Sequence, residues 1–341
     1  MKTQHLIFMG FFSIFMATSC SNDLVEEVSS VPDKEVIENN QPFFEDYSHL
    51  ASTSKRLTFL PDKVSFTAPG LYPEGVEFDF RRNRFYVSSF TQGTIGIVTN
   101  EGEYVPFIED EILTATVGVH IDNIRDRIYV TIGSFFQNIA GVAGYDLKTG
   151  KRILYVDLVG LIPNTNPFPN DLITDFEGNI YVTDTGTSTL YKINTEGEAS
   201  IFLQDEKLKP SVGFGINGIT YHPFGFLLVA SSDAKIFRVP INKPESFTAI
   251  DLPVGGLDGL QIIDFRTIHA VSNFANVIEY KSNDAWRTIE LGSSYTVQGD
   301  FPTTLANAYF KTTYVINSSL DDLFRGANPP VETFTIEKVV F

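Results

Sequence analysis

Cysteine occurs once in this chain of 341 residues, at Cys20. That excludes an internal disulfide, and it leaves everything downstream without a thiolate nucleophile or a cysteine metal site. Basic residues are also scarce: 25 Lys and Arg stand against 42 Asp and Glu, a net charge of −17. Such an excess of negative charge repels phosphate backbones and argues against nucleic acid as a partner, while leaving a cation welcome. No Gly-x-Ser-x-Gly elbow and no His-Glu-x-x-His pair occurs, which removes the usual serine-hydrolase and zinc-protease sites. Gly213-Phe214-Gly215-Ile216-Asn217-Gly218 matches the dinucleotide fingerprint by letters, but it opens a strand instead of following one and starting a helix. No long amphipathic helix is visible.

The chain begins with a short Lys2-bearing head, an apolar run from Leu6 to Met16, and Ala17-Thr18-Ser19-Cys20. The run is too short to span a bilayer, and small residues before a cysteine resemble a bacterial lipobox. The expectation is a lipoprotein signal peptide over residues 1–20, with Cys20 acylated and the protein exported to the cell envelope of a bacterium, membrane-anchored; a plain secretory signal is the alternative. Residues 21–56 carry Glu26, Glu27, Asp33, Glu35, Glu38, Glu45 and Asp46 among Ser, Val, Asn and Pro without periodicity, and read as a flexible acidic tether.

From residue 57 to 341, Val, Ile, Phe, Tyr and Thr alternate with turn signals at short intervals. One hairpin pattern recurs six times. The copy from Pro169 to Gly186 shows it best: a strand-like Leu172–Thr174, a turn at Asp175–Asn179, and a second strand at Ile180–Thr183. The residues opening the copies are Glu74, Val117, Asn170, Asn217, Asp258 and Thr303, spaced about 41 to 53 residues apart, as propeller blades are. Two further strand-like runs follow each hairpin, such as Thr189–Ile193 and Ala199–Leu203. The predicted fold is all-β: a six-bladed β-propeller with four-stranded antiparallel blades. How the ring closes is left open between Val331–Val340 and Val64–Thr67.

In a propeller the innermost strand of each blade starts at one mouth of the central channel, so the six opening residues form a ring there. The antiparallel second strands end on the same face, bringing Ser89, Asp184, Ser231, Ser272 and Asn317 toward it as a polar outer shell. Glu74, Asn170, Asn217 and Asp258 put two carboxylates and two amides on one axis, which is costly without a compensating cation. All four offer oxygen, suiting calcium first, with magnesium, manganese or zinc as other divalent candidates. Ordinary turn chemistry explains any one of them, and less readily all four in register.

The pattern Glu74-Gly75, Asn170-Asp171, Asn217-Gly218, Asp258-Gly259 resembles that of the senescence marker protein, gluconolactonase and lactonase family, with paraoxonases as distant relatives. Pro169-Asn170-Asp171-Leu172, then Asp175-x-x-Gly178 and Tyr181-Val182-Thr183-Asp184, is similar to gluconolactonase-like proteins. The resemblance implies that Glu74, Asn170, Asn217 and Asp258 bind a divalent metal, often calcium. It also implies that Asp258 doubles as catalytic base in a metal-dependent hydrolase of a lactone or related ester, using metal-activated water. Phe168 stands where sugar-lactone members can carry arginine, which points to a more apolar substrate, and Gly75 replaces the second carboxylate of paraoxonases. The alternative is a non-catalytic display module with a structural metal and an unknown protein partner. Phe168, Phe214 and Tyr72 are candidate pocket walls, Asp171, Asp184, Ser231 and Ser272 are candidate neighbours of the site, and His120 is either a pocket residue or a satisfied strand histidine. His222 and His269 occupy turn and strand slots and are expected to be structural.

Overall fold

The computed structural model describes residues 60–134 and 137–341. The predicted signal segment (1–20) and tether (21–56) lie outside them. Strand β1 (Lys63–Thr67) comes first. Blade 1 is β2 (Val76–Asp79), β3 (Arg84–Val87), β4 (Thr94–Val98) and β5 (Tyr104–Glu109); blade 2 is β6 (Thr116–Asp122), β7 (Arg127–Gly133), β8 (Ala140–Asp146) and β9 (Arg152–Asp157). Blade 3 is β10 (Pro169–Thr174), β11 (Ile180–Asp184), β12 (Thr189–Ile193) and β13 (Ala199–Gln204), and blade 4 is β14 (Ile216–His222), β15 (Phe226–Ser231), β16 (Lys235–Pro240) and β17 (Thr248–Asp251). Blade 5 is β18 (Leu257–Asp264), β19 (Thr267–Ser272), β20 (Asn276–Lys281) and β21 (Glu290–Thr296), and blade 6 opens with β22 (Pro302–Asn307) and β23 (Thr313–Asn317). After a short helix, α1 (Leu320–Phe324), comes β24 (Thr333–Lys338). Six antiparallel sheets of four strands result, as the repeat predicts.

Blade 6 resolves the closure. Its order is β22-β23-β24-β1, so Thr333–Lys338 is the third strand, not the outermost, and the amino-terminal Lys63–Thr67 completes the sheet. As an edge strand, β1 alternates: Val64 and Phe66 are buried, while Lys63, Ser65 and Thr67 face solvent. Phe66 packs on Tyr104 of blade 1 and Phe334 of its own blade, joining the two ends of the domain. Strands covered on both faces read instead as continuous buried runs, such as Ile180–Asp184 and Thr313–Asn317. Six apolar clusters fill the six gaps between adjacent blades, so a blade has no core of its own.

The turn joining the first two strands of each blade lies on the face opposite the mouth. Asp79, Asp122 and Asp175 pin these turns by accepting backbone N–H bonds two to four residues on. His222 does the same through Nδ1, accepting from the Phe224 amide, while its Nε2 contacts the Phe265 carbonyl. His269 is buried against Thr313, and burial lowers its pKa to about 4, so it is neutral and structural as expected.

At the channel axis the inner strands nearly touch. A Cβ on Gly75 would lie 2.6 Å from the Val117 carbonyl oxygen, on Gly118 2.5 Å from that of Asn170, on Gly218 2.3 Å from that of Asp258, and on Gly259 2.8 Å from Thr304 Cα. Gly218→Ala is therefore expected to cost about 1–3 kcal/mol or more by overpacking against blade 5, read as a lower urea midpoint with an unchanged denaturant slope.

Candidate metal centre

The opening residues reach the axis because the inner strands are bulged there. In blades 2 to 6 the pairing register shifts between Thr116 and Val119, Pro169 and Leu172, Ile216 and Ile219, Leu257 and Leu260, and Pro302 and Leu305. Each bulge contains one opening residue and its successor, and a bulge re-aims side chains out of the pleat. Hydroxyls of the second strand tie down the freed backbone: Gly75, Gly118 and Asp171 donate their N–H groups to Ser88, Thr131 and Thr183.

The outcome is one cavity that all six opening residues line, Glu74, Val117, Asn170, Asn217, Asp258 and Thr303. Glu74, Asn170 and Asp258 are buried, at 4%, 8% and 4% exposure. Glu74 Oε2, Asn170 Oδ1, Asn217 Oδ1 and Asp258 Oδ1 are all buried without a hydrogen-bond partner. One unpaired oxygen on each of four converging side chains is an expensive arrangement for water-free protein and a fitting one for a hard cation. Among the described residues no group of three or more His, Cys, Asp or Glu is arranged to hold a metal; this centre has two carboxylates and two amides, and no imidazole or thiolate of the kind zinc prefers.

Burial pushes the Asp258 carboxyl up to about 7; a 2.6 Å hydrogen bond from the Asn273 amide to Oδ2 opposes this, and the charge of Asp171 adds to it. Glu74 is raised well above its ordinary range by burial, then by the charges of Asp258 and Asp171. Asp171 itself is held at about 7 by burial, although the Leu172 and Ile219 backbone N–H groups donate to it at 2.8 and 3.1 Å.

The surroundings differ from expectation. Of the predicted polar shell, none lines the cavity. Ser89 donates to the Leu71 carbonyl, Ser231 to Asp233, Ser272 to the Gly255 carbonyl and Asn317 to Thr335. Asp184 is fully buried and holds the loop entering blade 3, accepting from the Phe168 and Thr187 amides and the Tyr191 hydroxyl. The reason is strand alternation: a side chain turned into the blade leaves the next one for the mouth. Phe90, Thr185 and Asn273, each one position later, do line it. That offset was the available signal for Asn273, which the sequence reading missed.

The wall is aromatic. Phe168 and Phe214 take the predicted places, joined by Phe90, Phe301, Leu320 and Phe324, the last two from α1. Phe90 lies 6.4 Å from Phe168 and 5.9 Å from Phe324 between ring centroids. Tyr72 is not a wall residue; it is buried in the closure core against Phe334. His120 lies elsewhere as well. Three residues into β6, it faces a separate, small channel cavity that Asp171 also lines, with Nδ1 3.1 Å from Glu77 and Nε2 2.9 Å from Thr174.

The raised carboxyls set a pH dependence for the cation-free protein. Asp171 and Asp258 hold their protons to about 7 when folded, against an ordinary 3.8, so between those values the folded state binds more protons and stability falls as pH rises. In chelator, the urea midpoint is expected to be lower at pH 8 than at pH 5, and Asp171→Asn is expected to flatten the difference. A midpoint that rises from pH 5 to 8 contradicts this.

No protein-family model matches the chain, and no curated protein matches it. Solved structures do. The allergen Mala s 1 of Malassezia sympodialis is similar with a TM-score of 0.68 and 18% identity, over 83% of this chain and 97% of its own. A calcium-binding protein, regucalcin, from Agrobacterium tumefaciens has a TM-score of 0.57 and 18% identity over 80% and 92%. A gluconolactonase from Xanthomonas campestris has a TM-score of 0.57 and 14% identity over 82% and 91%. At these identities the likeness establishes fold, and the chain shares the six-bladed architecture of regucalcin- and gluconolactonase-like propellers.

Proposed function

We propose that the protein is a divalent-cation-dependent hydrolase of a neutral, apolar lactone or related ester, acting at the propeller mouth. The observation that carries this reading is the set of four buried, unpartnered oxygens of Glu74, Asn170, Asn217 and Asp258 under an aromatic wall. These four residues would hold the cation, calcium being the best match to an all-oxygen set with up to two negative charges. When bound, a divalent cation supplies Lewis acidity toward a carbonyl and lowers the pKa of water.

The chain supplies the rest. Asn273 donates to Asp258 Oδ2 and so fixes the carboxylate that would take a proton from the attacking water. Phe90, Phe168, Phe214, Phe301 and Phe324 seat an apolar substituent and keep bulk water away. No Lys or Arg is among the residues lining the cavity, so an anionic sugar acid finds no counter-charge, consistent with Phe168 in place of arginine. A bacterial cell-envelope location, with Cys20 as acylated anchor, belongs to the same proposal and rests on the Leu6–Met16 run and the Ala17-Thr18-Ser19-Cys20 segment.

Calorimetry on chelator-stripped protein is expected to show one site for calcium, and millimolar calcium to raise the melting temperature. Glu74→Gln should weaken that binding by removing charge. Asp258→Asn retains a ligand oxygen but cannot accept a proton, so turnover should fall about 10²–10⁴-fold. The assay is a panel of sugar, aliphatic and aromatic lactones and esters with and without calcium. Calcium binding with no turnover of any panel member would replace the hydrolase with a display module; full activity in Asp258→Asn would remove Asp258 as base.

A further inference from the structure

The face opposite the mouth carries a second ring. Phe80, Ile124, Phe176, Phe224, Phe265 and Phe310 occupy the tip of the first turn in blades 1 to 6, and all six are exposed, Phe310 to 83%. A soluble monomer rarely repeats a large exposed apolar residue at one position in every structural unit. The tips form a connected rim. Phe80 lies 5.7 Å from Tyr309 of blade 6, Phe176 5.3 Å from Tyr221 of blade 4, and Phe224 stacks on Phe265 at 5.4 Å. Where no rings meet, Arg81 and Arg125 donate to backbone carbonyls of the next turn and Lys311 pairs with Asp264.

Four of the six tips are followed directly by a cation: Phe80-Arg81, Ile124-Arg125, Phe265-Arg266 and Phe310-Lys311. Arg81, Arg125 and Lys311 pair with Asp126, Asp122 and Asp264 of the same face. In a chain of net charge −17, cations beside apolar tips suit an anionic phospholipid interface, the apolar groups entering the headgroup boundary and the bases exchanging these partners for phosphates. Two features of the chain path point to the same occupant. Strand β1 starts at Lys63, paired with Glu337 near the end of β24, so the chain that follows Cys20, the proposed anchor, enters the propeller on this face. The carboxy-terminal Val340 and Phe341, both exposed, emerge there too, Phe341 lying 4.6 Å from His269. Among the described residues no helix is long and apolar enough to cross a membrane, so contact through this face would be peripheral.

From this we infer that the far face is a docking surface for an anionic phospholipid bilayer, seated by the six apolar tips and the adjacent cations, which orients the channel mouth away from the membrane. The inference is independent of the hydrolase reading, since none of these residues lines the mouth cavity.

The test is hydrogen–deuterium exchange of the full chain with vesicles of phosphatidylglycerol and phosphatidylethanolamine, and with phosphatidylcholine alone. Because the Leu6–Met16 run would itself associate with vesicles, the local exchange of the turns is the measurement, not total binding. Backbone amides at 80–83, 265–266 and 310–312 are expected to exchange about tenfold more slowly with the anionic vesicles. A Phe224→Ser, Phe265→Ser, Phe310→Ser variant, whose changed side chains are solvent-exposed, should lose that protection while keeping its melting temperature. Replacing Arg81, Arg266 and Lys311 by Gln should reduce protection on anionic vesicles to the phosphatidylcholine level. Protection confined to the mouth around 320–327, no protection at the tips, or tip protection that grows with protein concentration in the absence of vesicles, which would identify a second copy as the occupant, each overturns the inference.

Discussion

The closeness of the six inner strands at the channel axis governs this molecule. Room for a side chain runs out immediately after each opening residue, and four of the six positions are glycine: Gly75, Gly118, Gly218 and Gly259. The two exceptions turn the close approach into bonds. Asp171 accepts the Ile219 amide of blade 4, while Thr304 accepts the Val76 amide of blade 1 and, with Thr303, donates to the Glu74 carbonyl. The ring is thus stitched by side chains across the 3–4 and 6–1 boundaries, as it is by His120 and Thr131 around blade 2 and by Asn273 between blades 5 and 6. Overpacking penalties make such a ring intolerant of change, so the opening residues are held in place by their successors.

That geometry explains why Glu74 and Asp258 carry strongly raised pKa values. A wide channel would admit water and leave ordinary carboxylates; a narrow one strips it away and forces like charges together, including that of Asp171 below. The unpaired oxygens at the axis and the ability of Asp258 to take up a proton near neutral pH therefore have one cause. The aromatic rings over the cavity belong to the same physics, since an apolar roof lowers the local dielectric and strengthens every charge interaction beneath it.

The two ends of the propeller divide the chemistry. The mouth gathers residues from bulges and irregular loops, including the five-residue helix Leu320–Phe324, whereas the opposite face is built from tight turns pinned by Asp79, Asp122 and Asp175. Bulges and loops can re-aim a side chain without disturbing the ladders, so the polar site sits where the backbone is least regular.

The repeat, the blade count and the residues on the axis were determined by the sequence itself, because a hairpin recurring every forty to fifty residues with one opening position per copy maps directly onto a radial fold. Glu74, Asn170, Asn217 and Asp258 were legible for that reason. Tertiary structure alone decided what surrounds them. Whether a strand-end side chain turns into the blade or toward the mouth depends on a one-residue register that bulges and loop entries set, which is why Asn273 and Phe90 replace Ser272 and Ser89. Phe301, Leu320 and Phe324 reach the cavity from irregular connections that carry no periodicity. The pairing of Lys63–Thr67 with Thr333–Lys338 joins strands from opposite ends of the chain, and no local pattern encodes a contact of that range.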